Sequence, residues 1–101
     1  MKHTFAGALA AFIMFSGHTA IARAVQQACL TAASSKANYR VCRCIQNAAD
    51  ATLSHKEQSL AAAIIRNPDN VTEIKSSKRR AHEQFMQRYS QFGELAHAFC
   101  S

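Results

Sequence analysis

Apolar residues after position 24 recur at intervals of three and four, the spacing of one face of an α-helix. No stretch alternates apolar and polar residues with a period of two, so strands are not expected. The pattern predicts an all-α fold, a small bundle of about four to five helices. The predicted helices cover approximately residues 25–33, 36–53, 54–67, 68–76 and 78–99.

Short local motifs predict where several of these helices begin and end. Ser54 and Glu57 stand three residues apart in the order of a capping box, which begins a helix. Pro68 disfavours helical geometry in the preceding Asn67, so the pair ends that helix. The same pair can begin the next helix, with Asn67 as the cap. Ser35 is the predicted cap of the second helix.

The last helix carries an aromatic seam that is expected to face the core. Its members recur at steps of four, three, four and three residues. They are Phe85, Tyr89, Phe92, Ala96 and Phe99. Gly93 interrupts this helix, and a glycine costs about 1 kcal/mol relative to alanine there. Its presence predicts either the close approach of another helix or a bend.

Residues 1–24 have the order of a secretory signal peptide. Lys2 and His3 precede an uncharged run over residues 4–16, and Ala22-Arg23-Ala24 supplies the small residues before a cut. The run has about 13 residues, whereas a membrane-spanning helix needs about 20. We expect one exported, periplasmic domain of residues 25–101 without a transmembrane span. An uncleaved N-terminal anchor is the alternative.

The exported part contains four cysteines, Cys29, Cys42, Cys44 and Cys100. An even number of cysteines in a small exported chain predicts disulfide bonds, which help to stabilise a core of this size. Cys42 and Cys44 lie about 200° apart around a helix, so they do not readily bond each other. Two pairings remain. Cys29–Cys42 with Cys44–Cys100 is favoured, and the exchange of Cys42 and Cys44 stays open.

The charge distribution adds a candidate binding surface. The chain is 49% hydrophobic and 18% charged, which excludes a disordered chain. Without Lys2 and Arg23, ten basic and six acidic residues leave a net charge of +4. The candidate partner-binding residues are Lys75, Lys78, Arg79, Arg80 and Arg88. A nucleic-acid interface is usually denser and contains interleaved aromatic residues, so no nucleic acid is expected.

No arrangement of residues typical of an enzyme is present. No serine has a plausible His–Asp set around it, and nothing indicates a cleft at Asp50 or Glu57. No cofactor or metal site is expected, because one Cys-x-Cys and two distant cysteines lack the spacing of a zinc site. His82 and Met86, one helical turn apart, are a weaker candidate for copper.

A longer set of residues resembles a known family. The matching residues are Cys42-Arg43-Cys44-Ile45-Gln46, Ala49-Asp50, Thr52-Leu53-Ser54, Gln58, Asn67-Pro68, Phe85, Arg88-Tyr89, Phe92-Gly93 and Cys100. On these residues the chain resembles a family of small exported alphaproteobacterial proteins with a Cys-x-Cys motif, whose members often carry Trp where this chain has Met86. The resemblance implies export and paired cysteines but supplies no activity.

Some members of that family carry the label "arginine transporter". A transporter needs several membrane-spanning helices, so the label implies at most an accessory of a transport system. We therefore expect a non-enzymatic periplasmic helical module that binds a protein or an envelope component. The alternative is a small-ligand or metal carrier, which would use a cavity along the last helix.

The predicted signal peptide leads to a direct test. We expect the exported protein to begin at Val25, because Ala22 and Ala24 occupy the positions that signal peptidase reads. Intact-mass measurement of the protein recovered after export checks this. A mass that still includes residues 1–24 would support the anchor instead.

Overall fold

The computed structural model describes residues 23–32 and 38–100, which form five helices. They are α1 (Ala24–Thr31), α2 (Tyr39–Thr52), α3 (His55–Arg66), α4 (Asn70–Ser76) and α5 (Arg80–Phe99). No strand occurs in these ranges, so the all-α prediction is confirmed. None of the described helices is long and apolar enough to cross a membrane. Residues 1–22 of the predicted signal peptide lie outside the described residues.

The capping box that begins α3 is confirmed. The Ser54 hydroxyl accepts a hydrogen bond from the Glu57 backbone N–H at 3.2 Å, and a Glu57 carboxylate oxygen accepts one from the Ser54 N–H at 2.9 Å. The predicted cap of α2 is wrong. That helix begins later, and the Asn38 side chain caps it by accepting from the Val41 N–H at 2.9 Å. Ser35 lies outside the described residues.

The Asn67-Pro68 pair ends α3 as predicted but does not itself cap α4. The chain makes a turn first, and α4 begins two residues after Pro68. The Asn67 side-chain oxygen accepts from the Asp69 N–H at 3.2 Å, and its carbonyl accepts from the Asn70 N–H at 3.0 Å. An asparagine commonly organises a turn in this way, with its side chain bonded two residues ahead.

The core forms where α1 packs against α2 and α3, and where α5 packs against α2 and α4. The buried residues of the core are Val25, Ala48, Ala49, Leu53, Ala61, Ile64, Ile74, Phe85 and Phe92. Three of them are alanines on α2 and α3. The small alanine side chains allow these helices to approach closely, and the larger Val25 and Phe85 pack in the interior with no exposed surface.

Four of the five predicted seam residues of α5 lie in or against the core. Phe85 and Phe92 are buried, while Tyr89 and Ala96 pack partly buried beside them. The Tyr89 ring centroid is 5.2 Å from that of Phe85 and 5.7 Å from that of Phe92. The prediction for Phe99 is wrong, since this residue is 75% exposed. It borders a surface groove between α2 and α5 instead of filling the interior.

Two disulfide bonds connect the helices, and they follow the favoured pairing. Cys29–Cys42 joins α1 to α2 with a Cα–Cα distance of 5.5 Å. Cys44–Cys100 joins α2 to the end of α5 with a Cα–Cα distance of 5.7 Å. The exchanged pairing is therefore excluded. Disulfide-stapled helices of this kind are typical of proteins in an oxidising compartment.

No helix approaches closely at Gly93, so the first of the two alternatives predicted for this glycine is wrong. A Cβ built on this residue would meet no atom within 4 Å, and its backbone does not have a positive φ. The glycine is exposed and lies in the interior of α5. It therefore lowers helix stability without providing room for a neighbour.

The substitution Gly93→Ala should stabilise the protein by up to about 1 kcal/mol, because alanine loses less backbone entropy in a helix. In a domain of this size, that corresponds to a rise in Tm of about 4–8 °C. Gln91→Gly, at another exposed position of α5, is the matched control and should lower the Tm. A Gly93→Ala variant that melts lower than the parent would contradict this account.

Candidate functional site

Four cations at the junction of α4 and α5 form the basic surface. Its members are Lys75, Lys78, Arg79 and Arg80. All four are exposed, and none makes an ion pair within the described part of the chain. Three of them stand at or just before the first residue of α5. The fold thus leaves these charges available to a binding partner.

The basic surface lies at an electrostatically unfavourable end of its helix. The N-terminus of a helix carries a partial positive charge, so cations placed there are disfavoured by about 0.3–1 kcal/mol each. No side chain caps α5, and Glu83 is the acidic residue in its first turn. These cations therefore do not serve the stability of α5. Their position is better suited to binding a negatively charged group.

Arg88, the fifth candidate partner-binding residue, is engaged within the fold. Its guanidinium donates to the second carboxylate oxygen of Glu57 at 2.5 Å, which links α5 to α3. Arg88 is eight residues beyond Arg80, about 12 Å along the helix axis. We therefore keep Arg88 apart from the basic surface.

The Glu57 carboxylate has two roles, since one oxygen caps α3 and the other accepts from Arg88. Burial acts to raise the pKa of Glu57. The hydrogen bond from the Ser54 N–H and the adjacent Arg88 charge act in the opposite direction and outweigh burial, so the pKa lies below its ordinary value of 4.5. The folded state consequently favours the ionised form of Glu57.

A buried polar network connects α1, α2 and α3, and sequence reasoning had assigned it no role. The Gln46 side-chain amide donates to Asp50 and to the Gln58 side-chain oxygen, both at 2.8 Å. Gln58 donates to Asp50 at 3.2 Å and to the Leu53 carbonyl at 3.3 Å. The i, i+4 spacing of Gln46 and Asp50 could have indicated their contact. The contacts of Gln58 could not be indicated in this way, because they depend on how α3 packs against α2.

A polar cleft of about 370 Å³ opens beside this network and includes Asp50 but not Glu57, although nothing in the sequence indicated a cleft there. It is lined by Arg23, Gln26, Tyr39, Arg43, Gln46, Asn47 and Asp50. The backbone N–H of Gln26 donates to the Gln46 side-chain oxygen at 2.8 Å. Gln26 is 7% exposed and lines the cleft, where its side-chain amide makes no hydrogen bond to another described residue.

At the C-terminal end of α5, where the sequence predicted a cavity along the helix, the structure has an apolar groove. The groove has a volume of about 190 Å³ and runs beside the Cys44–Cys100 disulfide. Ala48, Leu95 and the exposed Phe99 form its apolar walls. Further along α5, Phe85 and Phe92 are buried in the core.

Among the described residues, the His82 and Met86 pair belongs to no larger cluster of metal-ligating side chains. Met86 is partly buried and packs against the core. The buried Nδ1 of His82 has no hydrogen-bond partner within the described ranges. Across residues 23–32 and 38–100, no group of three or more His, Cys, Asp or Glu residues could hold a metal ion. The copper alternative therefore gains no support from the arrangement of side chains.

Comparisons with family models, with curated proteins and with solved structures found no match for this chain.

The substitution Glu57→Gln should destabilise the protein by about 1 kcal/mol at pH 7, since glutamine can still cap α3 but cannot pair as an anion with Arg88. Because the folded-state pKa of Glu57 is lowered, the parent's advantage is present above the ordinary value of 4.5. It should be lost as the pH falls through the lowered pKa. Urea unfolding at a series of pH values measures this difference.

Glu94→Gln is the matched control, because Glu94 is exposed on α5 and makes no ion pair in the described part of the chain. It should change stability little at any pH. An equal loss in both variants, or a Glu57→Gln effect that persists unchanged at acid pH, would refute the role given to the Glu57–Arg88 pair.

Proposed function

We propose that this protein is an exported, non-enzymatic helical module of the periplasm that binds an acidic protein or another anionic component of the cell envelope. The basic surface at Lys75, Lys78, Arg79 and Arg80 is the binding site. The observation that carries the proposal is that these four cations are exposed, adjacent and unpaired in the described structure.

The distribution of stabilising contacts supports the proposal. Disulfides, the polar network and the Glu57–Arg88 pair all lie away from the basic surface in sequence. Exposed charges outside such features usually change stability by less than about 0.5 kcal/mol. The same charges can raise the rate of association with an anionic partner by orders of magnitude, and salt screens that effect.

The periplasmic location is part of this proposal. Two disulfides fit an oxidising compartment, and the order of residues in the first 24 positions fits a secretory signal. The resemblance to exported alphaproteobacterial proteins, carried by the Cys-x-Cys string, points to the same location. An accessory role in a transport system is compatible with binding to an envelope component.

A small-ligand carrier is the second candidate function, and one observation favours it. The groove beside Cys44–Cys100 is apolar, and Phe99 is 75% exposed next to it. An exposed aromatic side chain beside apolar walls can bind an apolar ligand or peptide. This site lies at the opposite end of α5 from the basic surface, so substitutions distinguish the two functions.

The triple change Lys78→Gln, Arg79→Gln and Arg80→Gln should leave the Tm nearly unchanged or slightly higher, because it removes cations from a helix N-terminus. It should weaken binding at low salt by about tenfold or more, with a smaller difference at high salt. Crosslinking in the periplasm, followed by titration against the captured partner at several salt concentrations, measures both effects.

The triple change Arg40→Gln, Lys56→Gln and Arg66→Gln is the matched control, because it removes the same charge from exposed positions on α2 and α3. It should weaken binding much less. An equal loss of binding in the two variants would mean that binding depends on net charge alone and not on the basic surface. Unchanged binding in the first variant, together with a loss in Phe99→Ala, would favour the apolar groove.

A further inference from the structure

We propose that the polar cleft between α1 and α2 binds a primary ammonium group, and that its occupant is the α-ammonium of Val25, created when the signal peptide is removed. Asp50 is the counter-ion. The proposal uses the predicted cut after Ala24 and is independent of the basic surface, because it involves different residues and helices.

Two hydrogen bonds place the start of α1 next to Asp50. The N–H of Gln26, the residue after Val25, donates to one atom of the Gln46 amide at 2.8 Å. The other atom of that amide donates to Asp50 at 2.8 Å. Gln26, Gln46 and Asp50 all line the same cleft. The α-nitrogen of Val25, which cleavage exposes, is therefore one residue away from the Gln26 N–H, which already bonds to the Gln46 amide that contacts Asp50.

A negative charge next to the N-terminal end of α1 is electrostatically favourable. The first turn of α1 contains no acidic residue. Cleavage after Ala24 adds a positive ammonium to the helix end that already carries a partial positive charge. Asp50, supplied by α2, offsets both. In the uncut chain Arg23 and Arg43 both line the cleft, and cleavage removes Arg23.

Burial of the Val25 side chain fixes the new terminus beside the cleft, next to the lining residue Gln26. Val25 has no exposed surface and belongs to the core, so its side chain anchors the first residue. Gln26 is 7% exposed and lines the cleft, yet its side-chain amide has no hydrogen-bond partner among the described residues. An ammonium has three donors, and it can offer one of them to this unbonded amide oxygen at the cleft.

The test starts from the full chain expressed with its own signal, so that the exported protein is obtained as processed, and intact mass identifies its first residue. Its α-amine is then acetylated near pH 6.5 in urea, where the terminus is exposed and lysine amines are almost fully protonated and unreactive, and the protein is returned to native buffer. The Tm is measured before and after acetylation for the parent, Asp50→Asn and Asp69→Asn. Asparagine at position 50 can still accept the Gln46 and Gln58 hydrogen bonds, so that variant removes the charge alone.

Acetylation should lower the Tm of the parent and of Asp69→Asn by about 4–8 °C, the effect of one moderate interaction in a domain of this size. It should lower the Tm of Asp50→Asn by less than half as much. Equal shifts in all three proteins, no shift in the parent, or a first residue other than Val25 would overturn the proposal.

A measurement on the unmutated protein covers the case in which Asp50→Asn does not fold. Carbon NMR of Val25 during a pH titration should give its α-amino group a higher pKa in the folded protein than in the urea-unfolded protein, since a carboxylate nearby favours the charged form. The same pKa in both states would overturn the proposal. Neither experiment depends on the basic surface, so their failure leaves the proposed function untouched.

Discussion

The rest of the structure depends on the placement of Cys42 and Cys44 on opposite sides of α2. Two residues correspond to about 200° of rotation around a helix, so one cysteine reaches α1 while the other reaches the end of α5. The bonds close segments with sequence separations of 13 and 56 residues, which the chain-entropy model equates with about 3 and 4 kcal/mol. A small hydrophobic core alone rarely supplies more than about 3–5 kcal/mol.

Polar contacts between the helices give the bundle a particular alignment. Burying an amide or a carboxylate costs free energy unless its hydrogen bonds are made, so Gln46 and Gln58 restrict how α1, α2 and α3 can pack. Glu57 adds a second restriction, because it must cap its own helix and contact Arg88 on α5 at the same time. Apolar packing of small alanines would tolerate other alignments, whereas these bonds do not.

The proposed binding surface is separate from the groups that stabilise the fold. The staples and the polar network hold α2 to α1, α3 and α5, whereas the basic surface lies at the junction of α4 and α5. A rigid arrangement allows exposed charges to remain in an unfavourable place, at the positive end of a helix. Binding of an anion there would relieve that cost and would not require a change in the core.

Features that depend on neighbouring residues or on helix geometry alone could be predicted from the sequence. They include the capping box at Ser54 and Glu57 and the helix end at Asn67-Pro68. They also include the expectation that Cys42 and Cys44 bond to different helices. The cap at Asn38, the exposed Phe99, the engaged Arg88 and the cleft at Asp50 are not. Helix periodicity determines which side chains share a face. Only the packing of the helices decides which of those faces meet, because that choice is made by contacts between residues far apart in the chain.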